Sequence, residues 1–338
     1  MKLRGAISGF GEVAAKAHLA GWRTRENVSI GVIHDPVSER RHEAIRLIKN
    51  VRVYDDLELM LDGEALDFVD IASPPALHAE AARAALNAGA HVLVEKPLCL
   101  SLAEFDELAA LAAAHERVLM CVHNWKYAPS YALARKLLDE GRIGDVLSVS
   151  FERLRVAPAG AGGAGGAWRA SSASGGGILI DHGWHVFYLM QWLMGGEAAS
   201  RIAATMTINP GGVEEVAELD VSFASGRRAS AMLSWRAKER RTSARLTGTA
   251  GRLEIENERV ILAAADGVHE LPVSDIPDDS YHSAWFSGMA ALFEAAMREG
   301  AAGSIASSNS IEARSALAII TAARTSAKNH GAPTDIAS

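Results

Sequence analysis

A lysine and a later histidine with a nearby carboxylate are the residues best suited to chemistry. Lys96 stands in Glu95-Lys96-Pro97, where a predicted buried strand ends, and Pro97 restricts the backbone that aims its ammonium. Asp181 and His185 are four positions apart, so on one helix they would share a face. A histidine oriented by a carboxylate can take or return a hydroxyl proton. A surface lysine, a helix cap and a packed histidine remain the alternative interpretations.

A glycine motif follows the first predicted strand and opens a helix. In Gly9-Phe10-Gly11-Glu12-Val13-Ala14, Gly9 permits a tight turn and Gly11 lets the backbone approach a pyrophosphate. Ala14 allows the helix to pack closely on the strand, and the N–H groups of the helix start face phosphate charge. The pattern indicates a dinucleotide site, and a ligand-free turn is the alternative.

Asp35 ends the second predicted strand before Pro36, at the separation expected for a carboxylate that binds the adenosine ribose. A 2'-phosphate beside this carboxylate would be repelled, which favours NAD. Arg40 and Arg41 follow and could soften the preference, so NADP stays open. The alternative is a solvated aspartate at a strand end.

Short β-rich runs alternate with helical patterns over residues 1–124, which predicts an α/β fold with a doubly wound parallel sheet. Helical spacing covers 76–88 and 102–115. The predicted strands are Leu3–Ser8, Val28–Ile33, Phe68–Ala72, His91–Glu95 and Val118–Val122.

A second domain, 125–338, is predicted where the alternation of strands and helices stops. The C-terminal helix could pack back on the first domain. A helix over 129–140 and a strand over 146–156 precede a glycine-rich stretch ending at Gly177. At least four strand-like runs between 201 and 273 alternate as in a half-exposed antiparallel sheet. Helices are predicted over 281–298 and 307–327, the latter capped by Ser307, Ser308 or Asn309.

Composition excludes several classes of function. The 338 residues carry a net charge of -7 with no basic field, which argues against nucleic acid as a partner. Cys99 and Cys121 are too few for a disulfide framework and predict buried thiols in a reducing compartment. Neither a secretory leader nor a membrane span is indicated, so we expect a cytoplasmic protein. No grouping has convincing metal spacing, and no metal is predicted.

Trp168 and Arg169 follow a glycine-rich run, Gly160 to Gly166. Such a segment could form a lid over a nicotinamide or merely a disordered loop. Both interpretations stay open.

Taken together, the motifs resemble the Gfo/Idh/MocA oxidoreductases, and the match spans nearly the whole chain. The residues that carry it form six ordered segments: Gly9-Phe10-Gly11; Ala72-Ser73-Pro74-Pro75 with His78; Glu95-Lys96-Pro97; Asn124 with Tyr127 and Pro129; Trp168-Arg169; and Gly175-Gly176-Gly177 with Asp181, Gly183 and His185. Ser308-Asn309 with Glu312-Ala313 also looks like this family's closing helix.

The resemblance implies a Rossmann domain and a C-terminal α/β domain whose large, mainly antiparallel open sheet builds homodimers or homotetramers. It implies NAD as cofactor, a sugar-like substrate, a lysine at Lys96 that bonds the reacting oxygen, and a proton acceptor at His185. The implied cofactor-binding residues are Gly9, Phe10, Gly11, Glu12, Val13, Asp35, Ser73, Pro74, His78, Glu95, Lys96, Asn124, Trp168 and Arg169. The implied substrate-binding residues are Lys96, Tyr127, Asp181, Trp184 and His185, of which Lys96, Asp181 and His185 are catalytic.

One departure from the family pattern is visible. Many members carry an aspartate three residues after the histidine, where this chain has Tyr188. With Trp184, Tyr188 predicts a more aromatic substrate site. Two other functions stay open: an NAD-dependent glycoside-cleaving enzyme without net redox, and a non-catalytic nucleotide-binding regulator.

Overall fold

The computed structural model describes residues 2–160, 168–256, 259–273 and 281–337. It divides into two compact units, which are described separately: Met1–Tyr127 with Ile276–Ala313, and Ala128–Asp275 with Arg314–Ser338. The predicted domain boundary at residue 124 stays a prediction. Most of the proposed glycine lid, 161–167, lies outside the described residues.

Strands and helices alternate at first, and strands then dominate until the two last helices. The strands are β1 (Leu3–Ser8), β2 (Val28–His34), β3 (Arg52–Tyr54), β4 (Phe68–Ile71), β5 (His91–Val94), β6 (Leu119–Cys121), β7 (Val146–Leu154), β8 (Ala199–Ile208), β9 (Glu214–Phe223), β10 (Arg228–Ser234), β11 (Arg241–Gly248), β12 (Gly251–Glu256), β13 (Arg259–Ala264), β14 (Gly267–Leu271) and β15 (Thr334–Asp335). The helices are α1 (Leu19–Arg23), α2 (Ser38–Leu47), α3 (Leu57–Gly63), α4 (His78–Asn87), α5 (Leu102–Ala114), α6 (Pro129–Asp139), α7 (Trp184–Leu193), α8 (Ser283–Glu299) and α9 (Ser304–Lys328).

The first unit contains a six-stranded parallel sheet in the order β3-β2-β1-β4-β5-β6. The strand order reverses between β1 and β4, and ligands of such sheets bind in the crevice beside the carboxyl ends at this reversal. All four residues of β4 are buried, as expected of a strand with helices on both faces. The topology confirms the predicted doubly wound sheet.

Helix α8 completes the core of this unit from the far end of the sequence. Its residues Phe286, Met289 and Phe293 are at most 1% exposed and belong to one apolar cluster with Trp22 and Phe68. The aromatic rings of Trp22 and Phe68 lie 4.7 Å apart between their centroids. The segment that follows the second sheet in sequence is therefore part of the first hydrophobic core.

The second unit contains a nine-stranded sheet in the order β14-β13-β12-β11-β7-β10-β9-β8-β15. Its pairings are antiparallel except for β10 with β7. In β9, buried Leu219, Val221 and Phe223 alternate with more exposed residues. The mainly antiparallel sheet confirms the predicted fold class, whereas assembly through its open face stays a prediction.

Two sequence predictions about elements were wrong. Strand β3, only three residues long, was missed because so short a run has no readable period. Helix α9 begins at Ser304, so Ser307, Ser308 and Asn309 lie inside it and do not cap it. Asn309 instead contacts the edge strand β6: its Oδ1 accepts from the N–H of Cys121 at 2.7 Å, and its Nδ2 donates to the carbonyl of Cys121 at 2.9 Å.

We expect Asn309→Ala to lower the free energy of unfolding by about 1–3 kcal/mol, because it leaves buried backbone groups of Cys121 without a partner. Chemical denaturation measures the change. The exposed Asn329 supplies the control, and Asn329→Ala should be near neutral. Equal stability of the two variants would show that the amide does not support the sheet edge.

Both cysteines are fully buried, which confirms their prediction as core thiols. Burial raises the pKa of Cys99 to about 12 and also raises that of Cys121. Within the described residues, no helix combines the length and hydropathy needed to cross a membrane. The same residues contain no group of three or more His, Cys, Asp or Glu side chains that could hold a metal ion.

Candidate functional site

The glycine turn after β1 lies against the loop after β4. Gly9 has a φ of +88°, and a Cβ on it would lie 2.5 Å from the backbone nitrogen of Ser73. Phe10 is fully buried beneath the turn, whereas Gly11 has no other atom within 4 Å of its Cβ position. Gly9 is therefore required by the fold itself, while Gly11 leaves open space beside the carboxyl edge of the sheet.

The two glycines should respond differently to alanine. We expect Gly9→Ala to destabilise the protein by at least about 1–3 kcal/mol from backbone strain alone. Gly11→Ala should leave stability unchanged or raise it by about 0.4–1 kcal/mol, yet weaken NAD binding about tenfold or more, because its Cβ enters the space for the pyrophosphate. Denaturation and calorimetric titration with NAD measure the two effects. Tight NAD binding by Gly11→Ala would argue against this loop as the phosphate site.

Asp35 fixes the glycine turn from the end of β2. Its Oδ2 accepts a hydrogen bond from the N–H of Phe10 at 2.7 Å, and its Oδ1 accepts from Val37 N–H at 2.9 Å. Its carbonyl accepts from the guanidinium of Arg41 at 2.7 Å. The carboxylate is therefore a structural link as well as a candidate ribose ligand.

Glu12 and Val13 lie on the exposed side of the turn. Val13 is 46% exposed. Glu12 accepts a hydrogen bond from the hydroxyl of Tyr281, and the ammonium of Lys16 lies 3.9 Å from its carboxylate. The hydrogen bond and then the charge of Lys16 lower the pKa of Glu12. These contacts place both predicted residues at the surface of the first unit.

His78 connects the loops that follow β4 and β5. Its Nε2 lies 2.7 Å from the carbonyl of Ser73, and its Nδ1 lies 2.6 Å from the carbonyl of Pro97. Burial lowers its pKa. The imidazole is only 1% exposed and holds the two loops together. Its predicted role in cofactor binding stays a prediction. Pro74, beside it, is exposed at the start of the helical turn Pro75–Leu77.

Lys96 follows β5 at the same edge and is half-buried, with a cis peptide bond to Pro97. The preceding Glu95 accepts a hydrogen bond from Lys96 N–H on Oε2 at 2.9 Å, and its Oε1 lies 3.1 Å from Nε2 of His18. Burial on its own would raise the pKa of Glu95, but the hydrogen bond and charge of His18 and the charge of Lys96 lower it. Glu95 is thus held as a carboxylate.

Ser73 Oγ and Asn124 Oδ1 are among the buried polar atoms of the first unit that have no hydrogen-bond partner within the described residues. Both residues follow strands of the parallel sheet, and both were predicted to bind the cofactor. A buried polar atom usually has a partner, so these atoms suit a polar ligand such as a dinucleotide.

Tyr127 ends the helical turn Asn124–Tyr127 and packs within the first unit. A Cβ on Gly288 would lie 2.2 Å from its ring. Burial, and then the charge of Glu312, raises the pKa of Tyr127 to about 12, so the phenol stays neutral. Its predicted contact with substrate stays a prediction.

In the second unit, Trp168, Arg169 and Asp181 form one contact group. The guanidinium of Arg169 lies 4.5 Å from the ring centroid of Trp168, and its Nε lies 3.0 Å from Oδ2 of Asp181. A Cβ on Gly176 would lie 2.5 Å from the carbonyl of Arg169, and one on Gly177 would lie 1.9 Å from Oε2 of Glu214. The glycine segment is therefore needed for the close approach that positions Asp181.

Asp181 and His185 do not lie on one regular α-helix, which corrects the geometry behind their predicted pairing. Asp181 belongs to a π-helical turn, Leu179–Gly183, and His185 belongs to α7. Asp181 Oδ2 lies 3.1 Å from Nδ1 of His182, while His185 Nδ1 lies 2.9 Å from the hydroxyl of Tyr188. The wider turn changes the angular spacing on which the i, i+4 argument depends.

Tyr188 is therefore the observed partner of the candidate proton acceptor. The hydroxyl can donate to Nδ1 or accept from it, so it orients the imidazole of His185 without a charge. Trp184, predicted to line the substrate site, is fully buried. His185 is 8% exposed and Asp181 4% exposed.

Sequence reasoning missed His18, which contacts the predicted Glu95, and also Asp70 and Trp22, which connect to Glu95 through His18. A signal existed: Asp70 is a charged residue in the otherwise apolar run Phe68-Val69-Asp70-Ile71, and a fully buried carboxylate requires partners. Searching the sequence for those donors would have pointed to the helix that opens at the glycine motif.

Two family models match the chain in succession. The model described as an oxidoreductase family with an NAD-binding Rossmann fold matches residues 3–123, and that of the GFO/IDH/MocA C-terminal domain matches 131–254. The chain therefore belongs to the GFO/IDH/MocA oxidoreductase family, and its first unit contains the NAD-binding Rossmann fold of that family. This confirms the resemblance drawn from the motifs.

Among similar proteins, D-glucoside 3-dehydrogenase of Escherichia coli is 29% identical over 203 residues, 60% of this chain and 57% of that protein. Levoglucosan dehydrogenase of Pseudarthrobacter phenanthrenivorans is 33% identical over 165 residues, 48% of this chain and 42% of that protein. An uncharacterized oxidoreductase of Synechocystis is 34% identical over 155 residues, 46% of this chain and 41% of that protein. Each match spans less than two thirds of the relative.

Solved structures share the fold along the whole chain. A levoglucosan dehydrogenase in complex with NADH and levoglucosan has a TM-score of 0.85 at 23% identity and covers 100% of both chains. An oxidoreductase of Agrobacterium radiobacter in complex with NAD+, L-tartaric acid and magnesium has a TM-score of 0.86 at 20% identity, covering 99% of this chain and 98% of that one. At these identities the likeness establishes the fold.

Proposed function

We propose that the protein catalyses reversible hydride transfer between NAD and a carbinol or carbonyl carbon of a sugar, polyol or sugar-like substrate. The observation that carries the proposal lies in the first unit. There the turn at Gly9 abuts Ser73 at the reversal of strand order, and Lys96 follows the next strand at the same edge. This is the edge where doubly wound sheets bind dinucleotides.

The residues of the crevice suit NAD. Gly11 leaves room for a pyrophosphate, Ser73 Oγ and Asn124 Oδ1 are buried without partners within the described residues, and Asp35 supplies a carboxylate. We assign binding of the phosphates to the glycine turn and of the ribose to Asp35. The negative charge of Asp35 favours NAD over NADP. Bound NAD supplies the acceptor for the hydride.

The protein's own residues manage the substrate oxygen and its proton. Lys96 donates a hydrogen bond to the reacting oxygen, and His185 takes the hydroxyl proton as the C–H bond breaks. Tyr188 orients His185 through Nδ1, and Asp181, paired with Arg169, lines the substrate site. In the reverse direction His185 returns the proton to the carbonyl oxygen.

The substrate class is drawn from the relatives. Those named D-glucoside 3-dehydrogenase and levoglucosan dehydrogenase act on sugar derivatives according to their names. Trp184 and Tyr188 make the surroundings of His185 aromatic, but both rings are fully buried, so the substrate class rests on the relatives. A cytoplasmic location and a homodimer or homotetramer built on the open sheet complete the proposal.

The experiment is an assay with the purified protein, NAD and a panel of free sugars, polyols, methyl glycosides and anhydrosugars. Substrate-dependent growth of reduced-cofactor absorbance is the expected result. Release of an aglycone without net reduction would indicate a glycoside-cleaving enzyme. Calorimetric binding of NAD without turnover on any compound would indicate a nucleotide-binding regulator, and either result would replace the proposal.

A further inference from the structure

A buried series of charged side chains leads from the first helical segment to Lys96. His18 Nδ1 lies 3.0 and 2.9 Å from the two carboxylate oxygens of Asp70, and its Nε2 lies 3.1 Å from Oε1 of Glu95. Trp22 Nε1 donates to Asp70 Oδ2 at 2.6 Å. The other oxygen of Glu95 accepts from Lys96 N–H at 2.9 Å. The series therefore ends on the backbone of the proposed catalytic lysine.

Both ring nitrogens of His18 face carboxylate oxygens, which favours the doubly protonated imidazolium. A neutral imidazole would present a lone pair to one of the two carboxylates, which is repulsive. Burial on its own would lower the pKa of His18, but Asp70 and then Glu95 raise it to about 9. The groups that contact the ring come from three elements: Asp70 of β4, Glu95 after β5 and, stacked at 3.8 Å between ring centroids, Phe286 of α8.

Charges alternate along the series: Asp70 negative, His18 positive, Glu95 negative and Lys96 positive. Because His18 and the backbone N–H of Lys96 each hold one oxygen of Glu95, that carboxylate has a fixed orientation. Fixing it also fixes the backbone from which the side chain of Lys96 departs.

Stability alone does not account for this charged set. Burying ionised groups carries a desolvation penalty, and replacing a buried ion pair by apolar residues is often neutral or stabilising. His18 and Asp70 are both 0% exposed, and the neighbouring positions are filled by large apolar rings. An all-apolar cluster would have been available here, so the charges point to a role for the group on which they end.

We propose that His18 is a positioning residue for Lys96. His18 holds the carboxylate of Glu95 in a fixed orientation, and Glu95 in turn holds the backbone of Lys96 so that the Lys96 ammonium points at the reacting oxygen. This inference rests on the proposed function in that Lys96 acts on a substrate oxygen. The surroundings of the Lys96 side chain can, however, be measured without any substrate. Asp70 is the counter-charge that keeps His18 protonated.

Three measurements on the whole protein test it, with His18→Gln as the variant and the exposed His115→Gln as the matched control. Nitrogen NMR of the wild-type histidines reports the protonation of His18. Carbon NMR of reductively methylated lysines, with the Lys96 signal assigned by Lys96→Arg, reports the surroundings of that side chain. The pH dependence of kcat/KM on a substrate found in the panel reports the effect on turnover.

We expect both nitrogens of His18 to be protonated at neutral pH and the Lys96 signal to shift in His18→Gln but not in His115→Gln. We expect kcat to fall about 10- to 100-fold in His18→Gln, as for a small displacement of a catalytic group, with NAD affinity little changed. The acid limb of the profile should move to higher pH, because Glu95 loses the cation that keeps its pKa low.

A neutral His18 at neutral pH would overturn the inference, and this measurement does not depend on the variant folding. An unchanged Lys96 signal in a folded His18→Gln would overturn it as well. If the wild type turned over no compound while the Lys96 signal still responded to His18→Gln, the proposed function would fail and the positioning of Lys96 by His18 would stand.

Discussion

Replacing Lys96 by methionine is expected to lower kcat/KM about 100- to 10,000-fold, the range for removing a group that stabilises charge or transfers a proton in the transition state. Methionine keeps much of the side-chain length and volume but cannot donate a hydrogen bond to the substrate oxygen. Steady-state rates of reduced-cofactor formation measure the effect. NAD affinity should change little, because the phosphates and the ribose are assigned to other residues.

Lys136→Met is the matched control for this variant. Lys136 lies on α6, its side chain is 71% exposed, and it takes no part in the proposed site. Its loss should leave kcat/KM near that of the wild type. Near-wild-type turnover by Lys96→Met would remove the lysine from the mechanism even though the fold and the cofactor site would be unaffected.

Replacing His185 by glutamine is expected to lower kcat about 100- to 10,000-fold, because the amide side chain cannot accept the hydroxyl proton. The loss should be smaller at high pH, where hydroxide competes as the base. Single-turnover rates as a function of pH distinguish this effect from slow product release. The matched substitution His115→Gln, at an exposed histidine after α5, should leave the rate and its pH profile unchanged.

The variant pair also tests whether the two residues serve one reaction. If Lys96 and His185 act on the same transition state, the loss in the double variant should be well below the product of the two single losses. Losses that multiply fully would indicate independent roles and contradict the proposed mechanism.

The first unit was largely predictable from the sequence, and the reason is the strength of its local patterns. Buried parallel strands are short apolar runs, and β1, β2, β4, β5 and β6 were located within one or two residues of their observed bounds. The glycine turn could be identified because its motif contains Gly9. The structure shows why a glycine is needed there: both the positive φ and the proximity of Ser73 exclude a side chain.

The candidate site was less predictable than the fold of the first unit, for both local and long-range reasons. Asp181 and His185 were expected on one face of an α-helix, but the π-helical turn Leu179–Gly183 changes that spacing, and no composition signal marks it. The pairing of Tyr188 with His185 is an i, i+3 contact within α7, so helical spacing could have predicted it. His18, the buried partner of Glu95, and Asp70, the partner of His18, lie on two other elements, so no local motif contains them.

Helix α8 and Asn309 have a consequence for how the chain matures during synthesis. The apolar cluster beneath β1 and β4 lacks Phe286, Met289 and Phe293, and the edge of β6 lacks Asn309, until most of the 338 residues have left the ribosome. Domains that form from the N-terminus during translation do so as contiguous pieces. Here an apolar face of the Rossmann sheet stays exposed until α8 has been synthesised. A chain that ends before residue 283 should therefore aggregate through this face.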